Sequence, residues 1–136
     1  MSERSEPHLP VPDQETAPFW EALAGGKLLL KWCLDCGRPH YWPRDFCPFC
    51  WSARTEWRPA SGRGTVFATT VIRQAALPPF SERLPYNVAV VELEEGPRLV
   101  TNVVGVPPDE VRIGQPVELA AEPHGDIGLP LFRPAH

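Results

Sequence analysis

No stretch of the sequence approaches the roughly 20 consecutive apolar residues that a bilayer-crossing helix needs. The segment Met1 to Pro10 is polar and lacks the apolar run of a secretory signal. These absences predict a cytoplasmic protein with no membrane partner. The GxSxG, Walker and GxGxxG signatures are missing too, which removes the commonest hydrolase, NTPase and dinucleotide readings. Histidine is scarce, and His8, His40, His124 and His136 are scattered along the chain. The acidic pairs Asp109-Glu110 and Glu94-Glu95 fall in predicted turns, where solvated charge is the ordinary explanation. No residue is assigned a catalytic role, and independent catalysis is not expected.

Long helices are excluded by what is abundant. Gly 10 and Pro 18 make up about a fifth of the 136 residues, and each proline removes a backbone donor and fixes φ. At 43% hydrophobic and 22% charged residues, a packed core is feasible. The net charge of −4 is unevenly spread. Residues 27–63 carry seven Lys/Arg against three acids, a net of +4, whereas residues 1–26 and 64–136 are each at −4.

Local signals place a helix over Ala17–Ala24. Thr16 is its candidate N-cap, Pro18 sits in the first turn, and Gly25-Gly26 ends it. Leu28–Trp32 reads as a strand leading into the cysteines. After Pro59 the signals turn to β: Thr65–Ile72, Tyr86–Leu93, Arg98–Val104, Val117–Ala121 and a short Leu129–Arg133. Glu94-Glu95-Gly96-Pro97 is a hairpin connection. Residues 75–85 hold three prolines and read as a loop. Five or six short strands in about 75 residues suit a small barrel, either a five-stranded OB type or an SH3-like one.

The four cysteines form two pairs, Cys33-x2-Cys36 and Cys47-x2-Cys50, separated by ten residues. Two such knuckles can set four sulfurs around one ion, and Gly37 lets the first turn through positive φ. Thiolates neutralise a dication and suit the borderline softness of zinc. The spacing within each pair also resembles a rubredoxin iron site, but rubredoxins separate their pairs by more chain, so one structural Zn2+ on Cys33, Cys36, Cys47 and Cys50 is expected. Disulfides are the competing explanation, and no redox βαβ pattern supports them. With four thiolates present, His40 reads as a loop histidine.

Seven of the thirteen aromatics lie between Lys27 and Trp57, interleaved with Lys31, Arg38, Arg44 and Arg54. A tiny ribbon needs large side chains for a core. The same residues could instead form a contact surface for a partner, for nucleotide phosphates with a stacked base, or for single-stranded nucleic acid.

The order of features resembles the DUF35 family of zinc-ribbon/OB-fold proteins. The matching pieces begin with Phe19-Trp20-Glu21-Ala22-Leu23 and Gly26-Lys27-Leu28. CxxCG at 33–37 and Pro43-Arg44 before CPxC at 47–50 follow. The barrel half adds Ser61-Gly62-Arg63-Gly64-Thr65-Val66, Pro85-Tyr86 and Val-Glu-Leu-Glu-Glu-Gly at 91–96. It ends with Ile113-Gly114-Gln115-Pro116-Val117 and Leu131-Phe132-Arg133-Pro134.

The resemblance implies a mainly β chain in three parts: a leader and short helical segment over 1–30, a rubredoxin-like zinc ribbon over 31–57, and an OB-fold five-stranded β-barrel over 58–136. It implies a non-catalytic scaffold or accessory subunit for a thiolase-like, hydratase or aldolase enzyme of acyl-CoA metabolism, including sterol and other lipid breakdown. Help in holding the acyl-CoA is part of that implication; the basic ribbon would suit CoA phosphates, and the apolar helix around Phe19 and Trp20 would suit docking to a partner unless it simply covers the barrel. The alternative, single-stranded nucleic-acid binding by ribbon and barrel, is disfavoured by the acidic barrel half.

Overall fold

A computed structural model describes residues 9–74 and 84–135. The proline-rich loop expected at 75–85 lies almost wholly outside the described residues. One helix and ten strands follow in order: α1 (Ala17–Ala24), β1 (Leu29–Cys33), β2 (Pro39–His40), β3 (Thr55–Pro59), β4 (Arg63–Ile72), β5 (Tyr86–Leu93), β6 (Arg98–Thr101), β7 (Pro116–Leu119), β8 (Glu122–His124), β9 (Ile127–Leu129) and β10 (Phe132–Pro134). A 3₁₀ turn covers Pro108–Glu110. No helix among the described residues is long and apolar enough to cross a membrane.

The helix has the bounds that the sequence predicts. Its cap differs. Thr16 occupies the N-cap position, but its hydroxyl makes no capping bond into the helix. The Thr16 backbone N–H and hydroxyl both donate to Asp13 Oδ1, at 2.8 and 2.9 Å. Asp13 thus closes the turn before the helix, and those two bonds hold its carboxyl below the usual carboxylate range.

Phe19, Trp20 and Leu23 are buried. They join Leu28, Leu30, Val66, Val91, Leu99, Val117 and Phe132 in one continuous apolar cluster. The helix therefore covers the protein's own core, and Phe19 and Trp20 are not available as a docking face.

Among the described residues three sheets form, and the two larger ones supply most of this cluster's strand residues. The smaller of these two has the order β2-β1-β3, with Leu29 opposite Pro59 and Cys33 opposite Thr55. The larger has the order β10-β7-β4-β5-β6. Along β5 exposure alternates strictly, with Asn87, Ala89, Val91 and Leu93 buried, as expected of a strand with one face on a core. The outer strands of the large sheet meet only at an isolated parallel bridge, Val103 to Phe132. Bonds from Val104 N to Phe132 O (2.7 Å) and from Phe132 N to Asn102 O (3.1 Å) complete the contact. The order of strands is consistent with an OB fold, but the sheet does not close into the expected five-stranded barrel: one isolated bridge lies where a closing ladder would run. The expected strand Arg98–Val104 accordingly stops at Thr101, with only the Val103 bridge beyond it.

Two features hold that arrangement. Buried Asn87 donates from Nδ2 to the Val103 carbonyl and accepts from the Val103 N–H at Oδ1, both at 2.8 Å. Its amide replaces the strand pairing missing at the seam. The hairpin β8–β9, which the sequence pattern did not reveal, brings Gly128 against the helix. A Cβ on Gly128 would lie 2.4 Å from the Leu23 carbonyl carbon.

Gly128→Ala is expected to destabilise the protein by about 1–3 kcal/mol, because helix backbone cannot yield as a flexible side chain would. Asn87→Ala is expected to cost about 2–3 kcal/mol by leaving two buried backbone groups unpaired at the seam. Chemical denaturation of each variant checks both, and unchanged midpoints would contradict them.

Candidate metal centre

The small sheet positions the first knuckle. Cys33 ends β1, and its N–H donates to Arg38 O at 3.0 Å as the chain turns back into β2. The second knuckle is carried on the connection to β3, where Cys47 N donates to Ser52 O at 2.8 Å. Cys33 and Cys47 are buried, and Cys36 and Cys50 are exposed. Each knuckle thus contributes one inner and one outer sulfur.

All four sulfurs lie within 4.8 Å of one another. The pairs Cys33–Cys50 and Cys36–Cys47 are each separated by 3.6 Å. A tetrahedron of sulfurs about 2.3 Å from a central zinc has edges of about 3.8 Å, so the spacing fits one ion. Backbone donors complete the fit. Cys36 N–H points at Cys33 Sγ (3.4 Å) and Phe49 N–H at Cys47 Sγ (3.3 Å).

The titration of the thiols reinforces this. The Cys36 backbone N–H holds the Cys33 thiol down to about 6, against the opposing effect of burial. At Cys50 the Ser52 backbone favours the thiolate, but burial and the neighbouring sulfurs outweigh it and push the thiol up to about 12. A first thiolate is favoured and later ones are opposed; a central dication lets all four ionise together. The four cysteines are positioned to bind one metal ion.

The two knuckles share a backbone device but not a residue. Gly37 at φ +77° follows the first pair and donates to Cys33 O (3.0 Å). Trp51 at φ +68° follows the second and donates to Cys47 O (2.8 Å). For a residue with a Cβ that conformation costs roughly 1–2 kcal/mol.

His40 is not a loop histidine. It lies on β2 opposite Lys31, is buried, and neither ring nitrogen has a hydrogen-bond partner. Burial pushes its pKa down; the Arg44 backbone opposes this without completing a hydrogen bond. It lines a groove of about 480 Å³ between the second knuckle and the β5–β6 turn, with Arg38, Tyr41, Phe49 and Glu95.

The basic residues singled out in the sequence divide. Lys31 is buried, 4.8 Å above the Trp57 ring and 4.0 Å from Asp45. Arg54 is paired with Asp35. Arg38 lies over the Phe49 ring, and neither it nor Arg44 has an ion-pair partner among the described residues. The aromatics divide likewise. Trp32, Tyr41 and Trp57 pack against the core, whereas Trp42, Phe46, Phe49 and Trp51 are exposed.

Comparison with known proteins matches this architecture in two segments. Residues 20–56 match the family described as the ChsH2 rubredoxin-like zinc ribbon domain, and residues 57–122 match the ChsH2 C-terminal OB-fold domain. A DUF35 domain-containing scaffold protein of Pyrococcus furiosus is 38% identical over 77% of this chain and 76% of its own length. A protein of Thermomonospora curvata named "Probable enoyl-CoA hydratase alpha subunit" is 39% identical over 93% of this chain, which spans only 39% of that protein. Among solved structures, a chain of the Ltp2-ChsH2(DUF35) aldolase superposes with a TM-score of 0.82 at 38% identity, covering 94% of this chain and all of that one. With ribbon and barrel both matched in order, and a scaffold relative matched over most of its length, the chain belongs to the DUF35 family of zinc-ribbon/OB-fold proteins.

Proposed function

We propose that this chain is a non-catalytic accessory subunit of a thiolase-like, hydratase or aldolase enzyme acting on acyl-CoA, with one structural zinc held by Cys33, Cys36, Cys47 and Cys50. The observation that carries the reading is the closed sulfur site. Four thiolates complete a tetrahedral ion and leave no position for water or substrate, so the metal stabilises rather than reacts. Among the described residues it is the only group of three or more metal-ligating side chains drawn together. The names of the relatives supply the class of partner: a hydratase alpha subunit, an aldolase assembly and scaffold proteins. The division into leader and helix (1–30), ribbon (31–57) and barrel (58–136) belongs to this reading.

The basic ribbon, net +4 over residues 27–63, would suit the phosphates of an acyl-CoA, with no single residue assigned to them. The nucleic-acid reading has less support, since ion pairs and burial take up Lys31 and Arg54 and leave a narrow basic footprint.

Zinc analysis of the purified chain is expected to give one ion per polypeptide, and Cys47→Ala to weaken zinc retention more than about 100-fold in a chelator competition, beyond the usual effect of an outer-shell change. Wild-type retention in that variant would refute the ligand assignment. Tagged protein isolated from its host is expected to carry a thiolase-like, hydratase or aldolase subunit at near-equal stoichiometry, with no acyl-CoA turnover by the isolated chain. Recovery of nucleic acid in place of such a subunit, or turnover by the chain alone, would reject the proposal.

A further inference from the structure

The exposed tip of the ribbon asks for an explanation that the core and the metal do not supply. From Arg44 to Trp51 every residue except Cys47 is exposed. Phe46 and Trp51 stack there, with ring centroids 5.6 Å apart and an interplanar angle of 21°. Trp51 remains 74% exposed and Phe46 41%. Phe49, on the same knuckle, is 52% exposed beneath the Arg38 guanidinium.

Trp51 is the informative residue. Its backbone conformation is the one Gly37 adopts in the other knuckle, where glycine meets it without strain. Tryptophan at this position is strained, and a side chain three-quarters in water recovers little by burial. The stack on Phe46 offsets part of the strain, yet it leaves both rings in contact with solvent. A strained, exposed aromatic beside a functional scaffold is an outlier of the kind that marks a contact site.

The charge around it indicates what the tip meets. All three acids of residues 27–63 are taken up by ion pairs: Asp35 with Arg54, Asp45 with Lys31, and Glu56 with Arg58. Arg38 and Arg44 flank the aromatics with no carboxylate of their own among the described residues. The complement of such a surface is an apolar pocket edged with acidic side chains. Desolvated tryptophan with neighbouring arginine is also the composition of binding hot spots.

We propose that the Phe46–Trp51 tip, flanked by Arg38 and Arg44, inserts into an apolar, carboxylate-edged pocket on the partner enzyme subunit. The inference rests on the accessory-subunit reading and names the surface that carries it. Trp51→Gly gives the knuckle the residue that its twin already has. The variant is expected to keep its zinc and its melting temperature while its affinity for the co-purifying subunit, measured by surface plasmon resonance, falls about 10- to 100-fold. Arg44→Glu, which leaves the knuckle unaltered, is expected to slow association several-fold at low salt, with the difference shrinking as salt is added.

Unaltered affinity in Trp51→Gly, with the wild type binding normally, would overturn the tip assignment alone. Faster zinc loss to a chelator, with binding lost only in proportion, would make Trp51 a shield for the metal and equally overturn it. Dissociation of a homo-oligomer by Trp51→Gly in analytical ultracentrifugation, with subunit binding intact, would assign the tip to a second copy of this chain instead. Failure of the wild type to bind any such subunit would remove the accessory reading itself, and this inference with it.

Discussion

The ribbon depends on drawing four sulfurs to one point. Its sheet is three strands, one of them only two residues long, which is too little paired backbone to hold two loops in register. Cys33 and Cys36 sit on one turn and Cys47 and Cys50 on another, and the 3.6 Å contacts run between the turns rather than within them. The cluster therefore ties the beginning of the ribbon to its end. Because like charges oppose one another in so small a volume, the tie is strong only around a cation.

That tie also sets where the aromatic side chains point. Residues before and after the knuckles, such as Trp32 and Trp57, lie on strands whose inner faces meet the shared core. Residues within and on either side of the second knuckle lie outside the strands, and Phe46, Phe49 and Trp51 are exposed there. One short segment thus supplies both core filler and exposed aromatic surface, according to whether its backbone is strand or turn.

The helix and the barrel are joined by similar economy. Phe19 and Leu23 are completely buried and belong to the same cluster as Val91 and Phe132. Gly128 lets β9 approach the helix backbone at a distance no other residue would allow. At the far side the sheet stays open, and one bridge and one asparagine amide link its edges. A body packed in this way suits the scaffold role named for a relative such as the DUF35 domain-containing protein of Pyrococcus furiosus.

Much of this was legible in the residues themselves. The bounds of α1 follow from Pro18 and the Gly25-Gly26 pair, and the end of β5 from the Glu94-Glu95-Gly96-Pro97 turn, because those signals act over a few residues. The cysteine spacing likewise points to the four sulfurs that the fold draws together, since a knuckle is a local turn. Tertiary structure alone decided the rest. Two- and three-residue strands such as β2 and β8–β9 are too short to show a period, and pairing across the fold creates them. Which aromatics are buried depends on layers contributed from distant parts of the chain. So does the fate of Lys31, which looked free beside the cysteines but lies buried between Trp57 and Asp45. Local conformational preference determined the turns, the helix and the two cysteine knuckles; long-range packing decided which of the remaining side chains face the core and which face solvent.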